Sequence, residues 1–93
     1  MSDDYSKKIN EAGKLMMKSN FEGALKIYEG MAEQFPDRLA ETQGHMGAVH
    51  HVLGRLEIAI DLYEKALAAG VEDDRTVREN LDEARADLAK RKS

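Results

Sequence analysis

The sequence predicts an all-α protein, a right-handed α-solenoid of five helices arranged as antiparallel pairs. Three observations lead to this fold class: apolar residues recur at helical spacing, helix breakers separate the segments that carry them, and one segment repeats another. An internal period in the thirties is typical of stacked helical hairpins, in which each unit buries its apolar face against the next.

The repeat joins two stretches, FEGALKIYE at 21–29 and LEIAIDLYE at 56–64, which align at a shift of 35 residues. Four aligned positions are identical: Glu22/Glu57, Ala24/Ala59, Tyr28/Tyr63 and Glu29/Glu64. We therefore expect a single domain over residues 1–93, with repeat one at about 5–38, repeat two at about 40–73 and a capping helix at about 74–90.

Composition limits the classes of function. Charged residues of both signs make up 34% of the 93 residues, and the formal net charge is −4. This balance argues against nucleic-acid binding, which needs a clustered cationic face. Cysteine is absent, which excludes disulfides, thiolate metal ligands and thiol nucleophiles. The first residues contain no apolar signal core, and no apolar run is long enough to span a membrane, so cytoplasmic residence is expected.

The first predicted hairpin has helices over about 5–18 and about 21–34, where apolar residues recur at helical spacing. Asn20 is the expected N-terminal cap of the second helix. Phe35-Pro36 ends that helix, because the residue before a proline avoids helical dihedral angles. Three residues are candidates to cap the first helix: Ser2, Asp3 and Asp4.

The second predicted hairpin has helices over about 38–53 and 56–69. Asp37 is the expected cap of the first of these, and Gly70 supplies a left-handed C-terminal cap to the other. A fifth helix follows Asp73-Asp74, whose carboxylates suit a helix N-terminus. Its apolar stripe is narrow, and the opposite face is expected to be exposed to solvent, which favours a terminal capping helix.

Small and aromatic residues recur at matching places in both units. These are Ala12, Leu15, Ser19-Asn20-Phe21, Ala24, Tyr28, Met31 and Pro36, and then Gly47, His50, Gly54-Arg55-Leu56, Ala59, Tyr63, Ala66 and Val71. Over about residues 5–73 this pattern resembles the tetratricopeptide repeat, and residues 74–90 resemble the solubilising helix that often follows such arrays. The chain departs from the family pattern at four positions: Lys8 and Gln43 replace the bulky opening residue, His50 replaces an aromatic residue, and Val71 replaces the closing proline. One extra residue also lies between the units.

The resemblance implies a concave groove, lined by the first helix of each pair, that receives a peptide or helix of a partner protein. The expected groove residues are Ser6, Ile9, Asn10, Gly13 and Met16 in the first helix, Glu41, Gly44, His45, Ala48 and His51 in the third, and Arg75, Arg78, Asp82 and Arg85 in the fifth. Met16 and its neighbour Met17 could belong to the core or to the groove. Met side chains adapt to varied apolar ligands, and the arginines suit a partner's carboxylates.

Two more specific sites are not expected. Chaperone-binding members of the family hold a terminal carboxylate with Lys, Asn and Arg, but only Arg75 is suitable here, so no chaperone-type carboxylate clamp is predicted. His45 and His51 lie six residues apart, about 240° around a helix, and His50 points in a third direction. No cysteine or well-placed acid is evident nearby, so neither a metal site nor a cofactor is predicted. His45 or His51 could instead make the groove sensitive to pH.

Catalysis is not expected, because the chain has no nucleophile–base pair or phosphate-binding loop at a recognisable spacing. The favoured function is a non-catalytic adaptor or scaffold that binds a partner protein. The alternative is a self-assembling protein that dimerises through an exposed repeat end, because the first helix has apolar residues on more than one face: Tyr5, Ile9, Leu15, Met16 and Met17. An accessory subunit that modulates an enzyme is a third, less favoured hypothesis.

Overall fold

The computed structural model describes residues 3–93 and confirms an all-helical fold, with five α-helices and no strand in that range. The helices are α1 (Asp4–Met17), α2 (Phe21–Gln34), α3 (Leu39–Val52), α4 (Leu56–Ala68) and α5 (Asp74–Lys92), and a 3-10 turn spans Pro36–Arg38. Over residues 3–93, no helix combines the length and the apolar character that a membrane crossing requires.

Side-chain caps begin three of the helices. Asp3, Asn20 and Asp73 each accept a hydrogen bond from the backbone N–H three residues on, at 3.3, 3.0 and 3.3 Å. Such caps satisfy an N–H group that has no partner within the helix. Ser2, the other capping candidate for α1, lies outside the described residues.

The expected cap of α3 is wrong. Asp37 lies inside the 3-10 turn, where the Arg38 N–H donates to the Phe35 carbonyl at 2.9 Å. Proline at the start of that turn fixes its backbone and shifts the beginning of α3 beyond Asp37. The helix therefore starts without a side-chain cap, and the Thr42 hydroxyl donates to the Arg38 carbonyl at 3.0 Å.

The turns inside the two hairpins are equivalent at a shift of 35 residues. Ser19 and Gly54 both have positive φ, 61° and 78°. Their N–H groups donate to the backbone carbonyls of Met16 and His51, at 2.9 and 3.0 Å. The N–H groups of the next residues donate to the backbone carbonyls of Leu15 and His50, at 2.8 and 2.9 Å. The sequence repeat is thus also a repeat of local backbone structure.

Each helix packs against the next in the chain, and α3 also contacts α5. Two apolar clusters form the core. One lies in the first hairpin and reaches Val49 of α3, and the other joins α4 to α5. Residue numbers increase in the same direction along α3 and α5: Gly44 lies near Val77, and His51 lies near Asp87. These two helices therefore run side by side in the same direction.

The first helix is less closely joined to α3. Among the described helices, no Cα atom of α1 lies within 8 Å of one in α3. Tyr5 of α1 instead contacts the connection that precedes α3: its ring packs edge-on against Phe35 at 5.4 Å between centroids and lies 4.6 Å from the Arg38 guanidinium carbon. The backbones of α1 and α3 are therefore not in direct contact.

Candidate functional site

A cavity lies between α3, the connection after α4, and the first turns of α5. Its volume is about 450 Å³. The lining residues are Glu41, Gly44, His45, Ala48, Val71, Glu72, Asp73, Thr76, Val77 and Asn80. Four of the groove residues expected on α3 thus line one cavity together.

The floor of this cavity exists because small residues on α3 face α5. A Cβ atom added to Gly44 would lie 3.5 Å from Val77 Cγ2, so a larger side chain there would fill the space between the helices. Val71 and Val77 are buried at 7% and 6% exposure and supply the apolar base. Ala48 continues that surface by one turn of α3.

His45 forms one wall and connects the cavity to the first hairpin. Its ring stacks on Tyr28 of α2, with centroids 5.3 Å apart and planes inclined by 10°. Partial removal from water lowers the pKa of His45, and the nearby Glu41 carboxylate opposes this by raising it. The imidazole therefore favours its neutral form against Tyr28.

The rim of the cavity is acidic. It carries the carboxylates of Glu41, Glu72 and Asp73, and none of the described residues that line the cavity is Lys or Arg. Asp73 also caps α5, so its position is fixed by the Thr76 N–H. An apolar floor with a carboxylate rim suits a ligand that carries a cationic group beside apolar carbon.

The arginines expected at the groove edge lie elsewhere. Arg75 pairs with Glu79 at 3.6 Å and Arg78 with Asp74 at 3.6 Å, both within α5. Arg85 reaches across to Glu64 of α4 at 2.6 Å. These three arginines and Asp82 do not line the cavity. Thr76, Val77 and Asn80 are the residues of α5 that line the cavity instead.

The expected residues of α1 are not gathered at the cavity either. The Ser6 hydroxyl donates to Asp3 within the α1 cap, at 2.9 Å. Ile9 and Met16 are partly buried against the core of the first hairpin. Asn10 is exposed, and a Cβ atom on Gly13 would meet nothing within 4 Å. Met16 thus contacts the core, whereas Met17 is 88% exposed.

A second polar cluster lies farther along the same pair of helices, at His51. Its Nε2 is 3.0 Å from Asp87 Oδ2, and its Nδ1 is 3.3 Å from the Tyr63 hydroxyl oxygen. Glu83 completes a group whose donor atoms all lie within 4.8 Å of one another. The expectation that no acid stands near this histidine is therefore wrong. That expectation was based on spacing within one helix. The two carboxylates come from another helix, α5, and lie 32 and 36 residues later in the chain.

Comparisons of this chain with family models, curated proteins and solved structures found no match. The chemistry of the two sites therefore rests on their own geometry. The cavity offers an apolar surface with negative charge at its rim, and the His51 cluster offers one imidazole and two carboxylates.

Proposed function

We propose that this protein binds a segment of another protein in the cavity between α3 and α5 and carries out no chemistry on it. In this proposal the five helices are antiparallel pairs in a short right-handed solenoid of the tetratricopeptide type. The cavity then belongs to the concave side of the array. Its apolar floor and acidic rim are the observation that carries the proposal.

The size of the cavity supports a short segment as the ligand. A volume of about 450 Å³ lies within the range of about 300–1,000 Å³ that is typical of ligand pockets. The α3 residues that line it run from Glu41 to Ala48, about 10 Å at 1.5 Å per residue. An extended segment covers that length with about three residues. So small a contact favours weak, transient binding.

The charge of the rim indicates the kind of segment. Glu41 and Glu72 offer carboxylates, and Gly44 leaves room for a side chain to lie on Val77. A Lys or Arg side chain fits both features, because its alkyl stem packs on apolar surface while its charged end stays at the rim. The partner segment is therefore basic, with small apolar neighbours.

Dimerisation through the first helix has less support. It was motivated by apolar residues on several faces of that helix, but Tyr5 is only 7% exposed, and Ile9 and Leu15 pack against the core. Among the described residues of α1, the large apolar side chain left well exposed is that of Met17. A single exposed side chain is not a dimer interface.

A peptide-display library followed by fluorescence anisotropy with selected peptides tests this proposal. We expect enrichment of Lys or Arg beside small apolar residues. We also expect the Gly44→Leu variant, which fills the cavity, to lose binding. Gly30→Leu is the control, because Gly30 lies on α2 outside this cavity and its added Cβ meets nothing within 4 Å, whereas a Cβ on Gly44 meets Val77 Cγ2 at 3.5 Å. Equal loss in both variants, or retention in Gly44→Leu, would place the binding surface elsewhere.

The rim charges are tested separately. The double variant Glu41→Gln/Glu72→Gln should weaken binding of a basic peptide and reduce its dependence on salt. Glu33→Gln/Glu57→Gln removes the same charge from exposed positions outside the cavity and serves as its control. Selection of acidic peptides from the library would contradict the proposed ligand chemistry.

A further inference from the structure

We propose that His51, Glu83 and Asp87 form a binding site for a divalent zinc-type cation that joins α3 to α5. The three residues offer one imidazole nitrogen and two carboxylates, with donor atoms all within 4.8 Å of one another. Zinc is bound by this set of groups at about 2.0–2.2 Å. The site is separate from the α3–α5 cavity and does not depend on the proposed peptide ligand.

The orientation of His51 suits a metal ligand. Its Nδ1 is 3.3 Å from the hydroxyl oxygen of Tyr63, and its Nε2 faces the carboxylates of α5. When the Nδ1–H donates to Tyr63, the lone pair of Nε2 points at the cluster. Metal-binding histidines usually hold their other ring nitrogen in such a hydrogen bond, which fixes the ring and its tautomer.

Tyr63 is held firmly in place for this role. Its side chain is buried at 1% exposure, and its ring meets α3 at Gly47. Tyr63 therefore acts as a positioning residue for His51.

The two carboxylates make the cluster negatively charged, which favours binding of a cation. Glu83 and Asp87 lie four residues apart on α5, a spacing at which like charges repel. A neutral His51 can donate one hydrogen bond to Asp87 but leaves the charge of Glu83 without compensation. A divalent ion balances both carboxylates. Glu83 is exposed, whereas His51 and Asp87 are partly buried, so the Glu83 side chain can turn to close the remaining distance.

The donor set selects the class of metal. Imidazole favours zinc and related transition ions, whereas magnesium and calcium prefer oxygen ligands alone. The side chain of His51 is 15% exposed and that of Asp87 is 43% exposed, so an ion can enter from solvent while the imidazole stays largely protected. Three protein ligands leave a fourth position for water.

Binding here would stabilise the packing of α5 on α3, because the metal binds the folded arrangement and not the unfolded chain. Titration of the full chain with ZnCl2, followed by calorimetry and by thermal unfolding, tests the site. We expect one ion per chain and a Tm that rises with zinc concentration. His51→Gln and Asp87→Asn should weaken binding by more than about tenfold, and Tyr63→Phe should weaken it without abolishing it. MgCl2 at the same concentration should leave Tm unchanged.

Two controls keep the result specific. Glu79→Gln removes one acid of α5 that pairs with Arg75 outside the cluster, and His45→Gln removes a histidine of α3 that lies in the cavity wall. Both should bind zinc as the unaltered chain does, and circular dichroism reports whether each variant is folded. Absence of zinc binding by the folded chain, or equal binding by a folded His51→Gln variant, would overturn the proposal. In either case the contacts of His51 would be a metal-free hydrogen-bond chain from Tyr63 to Asp87.

Discussion

Ser19 and Gly54 occupy the same place in successive hairpins, 35 residues apart, and both adopt a left-handed backbone with φ of 61° and 78°. The same two hydrogen bonds close each turn. Glycine adopts this conformation without steric cost, whereas a residue with a Cβ atom is strained by about 1–2 kcal/mol. The first hairpin therefore carries a strain that the second avoids.

The Ser19→Gly variant should be more stable than the natural chain. Relief of the left-handed strain outweighs the greater freedom of glycine in the unfolded chain, and we expect a gain of about 0.5–1 kcal/mol in the free energy of unfolding. Urea denaturation measures it. Gly54→Ser is the reciprocal change and should lose a similar amount, so a loss of stability in both variants would contradict this account of the turn.

Gly47 and Gly13 should respond in opposite ways to alanine. A Cβ atom on Gly47 would lie 2.7 Å from the Tyr63 ring, which is buried and cannot move aside, so Gly47→Ala should cost about 1–3 kcal/mol. A Cβ atom on Gly13 meets nothing within 4 Å. Gly13→Ala should therefore stabilise the chain by about 0.5–1 kcal/mol through helix propensity. Thermal and urea unfolding of the two variants compare them directly.

The sequence predicts the helices well because their signals are local. Apolar spacing and caps such as Asn20 and Asp73 set the helix limits, and the structure has both caps. The cap of α3 was predicted wrongly because Asp37 lies in the 3-10 turn that begins at Pro36, and the sequence pattern does not show that this turn is preferred to a cap.

The candidate site was predictable only where the repeat holds. Glu41, Gly44, His45 and Ala48 belong to a repeated unit and do line one cavity. The contribution of α5 was missed, since this helix lacks the repeat pattern that would fix its rotation. The contact between His51 and Asp87 joins residues 36 positions apart. These two residues meet only because α5 packs on α3. The spacing of residues within one helix does not predict such a contact between helices.

Loss of an α5 arginine should leave peptide binding intact. Arg85 pairs with Glu64 on the surface shared with α4, at about half exposure on both sides, so Arg85→Gln should cost less than about 1 kcal/mol of stability. Because Arg85 does not line the cavity, the affinity for a basic peptide should not fall. Fluorescence anisotropy titrations of the Arg85→Gln and Glu41→Gln variants with the same basic peptide compare their affinities. A marked loss of affinity in Arg85→Gln would restore the arginine edge expected from the sequence.

His50 should make the fold less stable in mild acid. The residue is 8% exposed, and its Nδ1 has no hydrogen-bond partner among the described residues. Burial lowers the pKa of His50 below its ordinary value of 6.5, and the nearby Arg55 lowers it further. The unfolded chain therefore binds a proton at a higher pH than the folded chain does. Stability is then greatest above about pH 6.5 and falls as the pH decreases below that value.

The His50→Phe variant isolates this contribution. Phenylalanine keeps an aromatic ring at this position, and it removes both the proton and the buried nitrogen. The free energy of unfolding, measured by urea between pH 5 and pH 8, should depend less steeply on pH in this variant. The pKa of His45 is also lowered, so His45 contributes to the pH dependence in the same direction. Some dependence of the unfolding free energy on pH should therefore remain in His50→Phe, and it should decrease further in His45→Gln/His50→Phe. An unchanged slope in the single variant would show that His50 titrates alike in the folded and unfolded chains.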